Sequence, residues 1–242
     1  MAVQRVGGRI AGVVLVGVVA VTGCESTTGT GGEAGPGPEG KAGSALAAVD
    51  TLTVKGRAPK TGYARERFGS AWADTDSNGC DTRSDILKRD LKSVRFSDGH
   101  CKVTSGLLSP DPYGGKDVSY ARGRSKVDID HLVALSDAWQ KGAFQWDPSK
   151  RIAFANDPLN LLAVDATPNR SKGDGDTATW LPANKGYRCT YVAGQVAVKK
   201  KYGLWVTAAE RDAMQKVLTT CPDQKLPSGG NPTEAPARFH AR

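Results

Sequence analysis

Two cysteines stand at mirror positions about one short turn. Cys189 lies 14 residues before Gly203, and Cys221 lies 14 residues after Thr207. The apolar periodicity predicts a helix over Arg188–Tyr202 that Gly203 ends. Thr207-Ala208-Ala209-Glu210 is a capping-box pattern opening a second helix, with Ala213, Met214, Val217 and Leu218 on one face. If the two helices pack antiparallel across the turn, the cysteines are level. A Cys189–Cys221 disulfide then staples a helical hairpin, which leaves Cys80 to pair with Cys101 by elimination.

That pairing requires an oxidising compartment, and the N-terminus supplies one. Arg5 and Arg9 form a positive region before an apolar and glycine run from Ile10 to Val21. Such a run is too short to cross a bilayer core of roughly 30 Å as a helix, so it reads as the core of an export signal. Val21-Thr22-Gly23-Cys24 resembles a bacterial lipobox. Residues 1–23 are therefore expected to be a lipoprotein signal peptide, with Cys24 lipidated at the outer face of the cell membrane. An ordinary secretory signal is the other reading. With Cys24 set aside, four of the five cysteines remain, an even number. The formal charge is +8 and the pI about 9.3; loss of Arg5 and Arg9 with the signal still leaves a basic chain that favours an anionic partner.

Residues 24–43 are rich in glycine with two prolines and no large apolar side chain, which predicts a flexible tether with a reach of roughly 25 Å. Residues 224–242, rich in proline with a Gly-Gly pair, read as a disordered tail. Between them, residues 44–223 form one domain. Short helices are expected over Leu46–Val54, over Asp81–Leu91 with Asp81 as N-cap, over Leu132–Phe144 and over Asp174–Leu181. Val127-Ile129 alternates with Asp128-Asp130 as a strand, Asn160–Val164 is a second strand, and Gly99–Gly115 reads as a loop.

Of the three histidines, His240 lies in the tail and His100 abuts Cys101; His131 alone ends a predicted strand. Asp130-His131 is followed in order by Asn160, Asn169 and Lys172. This set resembles the pattern of HNH endonucleases. Asp128-Ile129-Asp130-His131 and Asn169-Arg170-Ser171-Lys172 look like the HNH domains of RNA-guided nucleases and of restriction enzymes of the GmrSD type. Cys80-Asp81-Thr82-Arg83, Asp111-Pro112-Tyr113-Gly114-Gly115, Asp137-Ala138-Trp139 and Trp180-Leu181-Pro182 extend the likeness to secreted actinobacterial proteins carrying the domain called DUF1524.

The resemblance implies an α+β fold: a ββα-metal core, the His-Me finger, embedded in a mainly helical, disulfide-stapled domain. It implies a metal-dependent nuclease acting on DNA, with RNA as the alternative polymer, and no small-molecule cofactor. His131 would be the general base, and Asn160 would hold the loop that orients it. Asp130 and Asn169 would be ligands of Mg²⁺ or Mn²⁺, and Lys172 and Arg170 would contact a substrate phosphate. These residue types suit the chemistry. In-line hydrolysis needs a base near neutrality and neutralisation of charge on the phosphoryl oxygens, and hard oxygen ligands suit Mg²⁺.

Each position also has a structural reading. Asp130 could be a strand carboxylate paired with a lysine, Asn160 and Asn169 could be turn residues, and Lys172 could be a solvated surface lysine. Asp128 shares a face with Asp130 and is a further candidate ligand. Trp139, Trp146, Trp180 and Trp205 read as core anchors. Lys199-Lys200-Lys201 reads as a solvated helix end or a contact to a nucleic-acid backbone. Two departures from the family stand out: Ala134 where many members have proline, and a long insertion between His131 and Asn169. No second histidine sits at a ligand position, which argues against the zinc-bound variant. The alternative function is a non-catalytic binding lipoprotein on a degenerate HNH scaffold.

Overall fold

The computed structural model describes residues 40–241. The signal segment, Cys24 and most of the tether lie outside the described residues. Among the described residues, no helix is long and apolar enough to cross a membrane.

The chain mixes helices and strands. Helix α1 (Ala45–Val49) is N-capped by Ser44, and α2 (Thr82–Asp90) by Asp81, whose carboxylate accepts from Ser84 N. Strands β1 (Lys92–Phe96), β2 (Val103–Leu108) and β3 (Val118–Ala121) form an antiparallel sheet in that order. Strand β4 (Val127–His131) then leads through α3 (Leu135–Gln140) and α4 (Pro148–Ala155) to β5 (Leu161–Asp165) and α5 (Ala166–Lys172). The hairpin of α6 (Arg188–Tyr202) and α7 (Ala208–Leu218) completes the domain. Gly203 closes α6 in the left-handed conformation at φ 70°, and the Thr207 hydroxyl accepts from Glu210 N at the start of α7.

Disulfides join Cys80 to Cys101 and Cys189 to Cys221, as the hairpin argument requires. Three apolar clusters carry the fold. One joins α1 to α6 and α7, including Leu46, Val192, Val196, Met214 and Leu218. A second packs Trp139, Phe154 and Tyr202 between α3, α4 and the end of α6. The third sets α2 and the sheet against β4 and β5, through Leu87, Val103, Ile129 and Ala163.

Four expectations are corrected. The stretch Gly99–Gly115 is not all loop: β2 lies inside it as the central strand of the sheet. Thr104, Ser105 and Gly106 break its alternation, so the polar composition conceals it. The helix expected over Leu132–Phe144 shrinks to Leu135–Gln140 because backbone groups of Leu132 and Val133 are taken by Asn160. No helix forms over Asp174–Leu181. The Asp176 carboxylate accepts from Ala178 N and makes a turn, while its other oxygen is drawn into ion pairs. The tail is not disordered across 224–241. Gln224 O accepts from Ala45 N, Arg238 donates to Asp74 O and Ser77 Oγ, and Phe239 packs on Ile152 and Ala153.

The lysine run at the end of α6 is also placed differently from either sequence reading. Lys199 is fully buried, 3.0 Å from Glu210 and 3.3 Å from Asp137. Lys201 pairs with Asp157 at 2.6 Å, and Lys200 alone is exposed. Buried Lys141 lies 2.7 Å from Asp137, 2.8 Å from Asp176 and 2.7 Å from Glu210. Arg57 reaches Asp137 and Asp176 from the edge at 2.9 and 2.6 Å. Three cations thus meet three carboxylates, and the formal charges cancel.

Burial opposes the charge of Asp137, Asp176 and Lys199, and the pairing overcomes it. Asp176 is held at about 2 by Lys141 and Arg57, Asp137 is lowered by Lys199 and Lys141, and Lys199 is raised by Glu210 and Asp137. Depressed carboxylate values stabilise the fold above the unfolded value of about 3.9, and that stabilisation disappears as pH falls toward 2. Removing one partner strands the others. Lys199→Met is expected to lower unfolding free energy by about 3–5 kcal/mol, measured by urea denaturation, against less than about 0.5 kcal/mol for Lys200→Met. Equal effects of the two substitutions would refute the role assigned to the network.

Candidate active site

Strands β4 and β5 pair antiparallel with His131 opposite Leu161 and Val127 opposite Asp165, and α5 follows β5 at once and packs on both strands. This strand–strand–helix unit is opened between its strands by the insertion that contains α3 and α4. Asn160 closes the opening. Its backbone carbonyl accepts from Leu132 N at 2.8 Å, its side-chain Oδ1 accepts from Val133 N at 2.9 Å, and its Nδ2 donates to Val133 O at 3.3 Å. Gln195 of α6 donates to Leu132 O at 2.8 Å. Asn160 is fully buried, so these bonds compete with no water. The backbone immediately after His131 is therefore fixed.

His131 lies 2.9 Å from the Ala155 carbonyl through Nε2. A carbonyl can only accept, so Nε2 carries the proton of the neutral ring and Nδ1 keeps its lone pair. No described residue hydrogen-bonds Nδ1. Burial pulls the imidazole down to about 3 against the Ala155 bond, and Arg65 and Lys172 lower it further. The ring is thus neutral throughout the physiological range, and the structure departs here from the near-neutral base expected from the sequence, because burial disfavours the imidazolium. The Trp72 ring lies nearly parallel to it, tilted by 12° at a centroid distance of 6.3 Å. Trp72 holds φ 62°, a left-handed value unusual for a bulky residue.

The other sequence-derived site residues separate into two groups. Asp130, His131 and Asn169 line one cavity of about 390 Å³, together with Asp128. Asn169 Nδ2 donates to Asp128 Oδ2 at 3.3 Å, which leaves the amide oxygen of Asn169 free for another partner. Asp130 accepts from the Tyr113 hydroxyl and from Lys172 Nζ, the latter at 3.0 Å. Its buried carboxyl is raised by desolvation, with Lys172 and Tyr113 acting in the opposite sense.

Lys172 and Arg170, the phosphate contacts expected from the sequence, differ in exposure. The Lys172 side chain is fully buried and donates to Asp130 and, at 2.8 Å, to the carbonyl of His131. The last turn of α5 points back onto the end of β4, where those oxygens concentrate negative potential. Arg170 is 75% exposed and reaches only to 3.9 Å of Asp128; neither residue lines the cavity.

Arg65 and Arg83 do line it, and neither pairs with a carboxylate among the described residues. Arg65 opens a 3₁₀ turn, and the Arg83 guanidinium sits 5.8 Å over the Trp72 ring. Sequence reasoning missed both arginines, along with Trp72 and Tyr113. Arg83 and Tyr113 fall inside the quoted likenesses, but nothing in their spacing marks them as part of a site.

The metal-binding side chains at the cavity offer oxygens: the carboxylates of Asp128, Asp130 and Asp174, the last paired with Lys60, and the amide of Asn169. Such a set fits a hard divalent cation such as Mg²⁺ or Mn²⁺ and does not suit a thiolate-seeking metal. Cys80, His100 and Cys101 also lie close together, but both sulfurs are committed to a disulfide.

Comparison with known proteins bears on this arrangement. The family described as GmrSD restriction endonucleases, C-terminal domain, matches residues 81–217, which include the whole strand–strand–helix unit. An uncharacterized secreted protein of Arthroderma benhamiae is 42% identical over 182 residues, covering 74% of this chain and 86% of the relative. No solved structure matches the chain. Matched over more than half of its length, the chain belongs to the family of the GmrSD restriction endonuclease C-terminal domain.

Proposed function

We propose that the protein is an extracytoplasmic, metal-dependent endonuclease of the HNH type that hydrolyses phosphodiester bonds of DNA, with RNA as a further substrate. The observation that carries the reading is the His131 ring. It is neutral, held in one tautomer by the Ala155 carbonyl, and presents an unbonded Nδ1 beside an all-oxygen donor set. Nδ1 is the atom that takes the proton of the attacking water. In this reading the strand–strand–helix unit is the ββα core.

Asn160 acts as a positioning residue, because its bonds fix the chain directly after His131. Lys172 and Tyr113 orient Asp130 from behind, and Lys172 does not touch substrate. Arg65 and Arg83 face the cavity and take over the phosphate contacts that the sequence suggested for Lys172 and Arg170. Mg²⁺ or Mn²⁺ would be held by Asp130 and Asn169, with Asp128 beside them, and would supply neutralisation of charge at the phosphate. The net charge of +8 favours a polyanionic substrate.

Export is supported by the basic and apolar N-terminal segment, by two disulfides, and by a relative whose description is a secreted protein. The lipid anchor on Cys24 belongs to the same proposal. Cys24→Ser is expected to move the protein from the detergent-soluble membrane fraction into the medium, followed by immunoblot of fractionated cells. Unchanged fractionation argues for a plain secretory signal.

Plasmid DNA incubated with the oxidised protein is expected to be cut with Mg²⁺ or Mn²⁺ and to stay intact with EDTA. His131→Ala is expected to lower kcat by about 10²–10⁴ without loss of folding. A folded parent that binds DNA and cuts nothing with either metal is a binding scaffold. Asn160→Ala leaves the Val133 amide and carbonyl unpaired, and is expected to cost about 1–3 kcal/mol of stability. At a temperature where the variant is folded, it should lower kcat with little change in KM. A variant of unaltered kcat would remove Asn160 from the mechanism.

A further inference from the structure

Two cavities meet at His131, and the reaction above uses one of them. The second, of about 370 Å³, shares Arg65, Trp72, His131 and Leu135 with the first. Elsewhere its walls include Phe68, Ala155 and Asn156, and the docked tail contributes His240. The space is mixed in character. Phe68, Leu135 and Ala155 make it apolar, while Arg65 and Glu66 stand at it without a carboxylate or cationic partner among the described residues.

Asn156 supplies the specific clue. It is fully buried, and its Nδ2 donates to Ile152 O at 3.0 Å. That bond fixes which end of the amide is nitrogen, since two oxygens would repel one another there. Oδ1 is left as a buried acceptor with no donor. Buried polar atoms rarely stay unpaired, and exceptions mark places where another molecule completes the bonding.

An apolar slot with an aromatic wall, an unpaired acceptor and a cation shared with the neighbouring phosphate cavity matches the chemistry of a nucleobase. A ring face stacks on Trp72, and an exocyclic amine or ring N–H donates to Oδ1. We propose that this second cavity takes the base of the nucleotide next to the phosphate being cut, so that the protein favours strands whose bases are unpaired. The proposal rests on the nuclease reading for its position along the substrate, because Arg65 and His131 join the two cavities. A base inside a duplex has its edge paired and its faces stacked, and enters such a slot only after leaving the helix.

Binding tests the cavity apart from catalysis. Deoxyadenosine 5′-phosphate and the baseless control 2-deoxyribose 5-phosphate are titrated into the oxidised mature chain in EDTA, with NMR chemical shifts as readout. The nucleotide is expected to bind roughly tenfold more tightly, within the range that one stacked base contributes. Ala71→Trp and Ser70→Trp place a ring on an exposed loop that lines the second cavity and is not part of the first. Both variants are expected to keep the parent melting temperature and the affinity for the sugar phosphate, and to lose the preference for the nucleotide. Equal affinities in the parent, or a preference that survives both substitutions, overturn the assignment.

With Mg²⁺ present, a single-stranded oligonucleotide is expected to be cut at least tenfold faster than the same strand in a duplex, and equal rates overturn the strand preference. A chain that holds the base but cuts neither substrate refutes the nuclease reading and leaves the base pocket standing. A chain that cuts both equally and does not discriminate the sugar phosphate does the reverse.

Discussion

The domain is organised around a charge cluster that is electrically closed on itself. Lys141 and Lys199 are fully buried, and either alone would be prohibitively costly in a low-dielectric interior. They are tolerated because Asp137, Asp176 and Glu210 surround them and Arg57 supplies the third positive charge. Replacing such a cluster by packed apolar side chains would often stabilise a protein, so its value lies in directing how elements meet. Here it joins α3, the turn at Asp176, α6, α7 and the N-terminal strap carrying Arg57. Asp137 follows His131 by six residues and Asp176 follows Lys172 by four, so the cluster anchors both ends of the site segment. His131 and the residues that hold it are kept in place by charges that lie outside the cavity.

Parts of this architecture were legible in the chain and parts were not, for identifiable reasons. The α6–α7 hairpin and its disulfide could be read because Gly203, Thr207 and the two cysteines act locally and at fixed spacing. The strand Val127–His131 could be read because apolar and acidic residues alternate along it, and Leu161–Val164 because it is a short continuous apolar run. The central strand β2 could not, since a strand flanked on both sides tolerates Thr104, Ser105 and Gly106 without an apolar stripe. Lys199 illustrates the harder limit. In sequence it is one of three equivalent lysines, and only the carboxylates brought from α3 and α7 make it an interior residue. Arg65 and Arg83 are illegible for the complementary reason, because they reach the site from segments before the strand–strand–helix unit.

The tail shows how composition misleads when a surface is waiting. Proline and glycine make residues 224–241 unable to fold alone, yet they need not do so. Arg238 and Asn231 bond to the loop around Asp74 and Thr75, and Phe239 covers Ile152 on α4. Order there is borrowed from the domain, and α4, whose last carbonyl holds His131, is one of the elements that lend it.

That carbonyl has an implication for how the site is inherited. The group that sets the proton on His131 is main chain, contributed by Ala155, so no side chain encodes it. Exchanging Ala155 for another residue of similar size leaves the bond in place, and a screen of substitutions would score the position as permissive. What must persist is the path of α4. Selection on the His131 tautomer is therefore spread over the packing that fixes a helix end, and is invisible as a motif in any sequence.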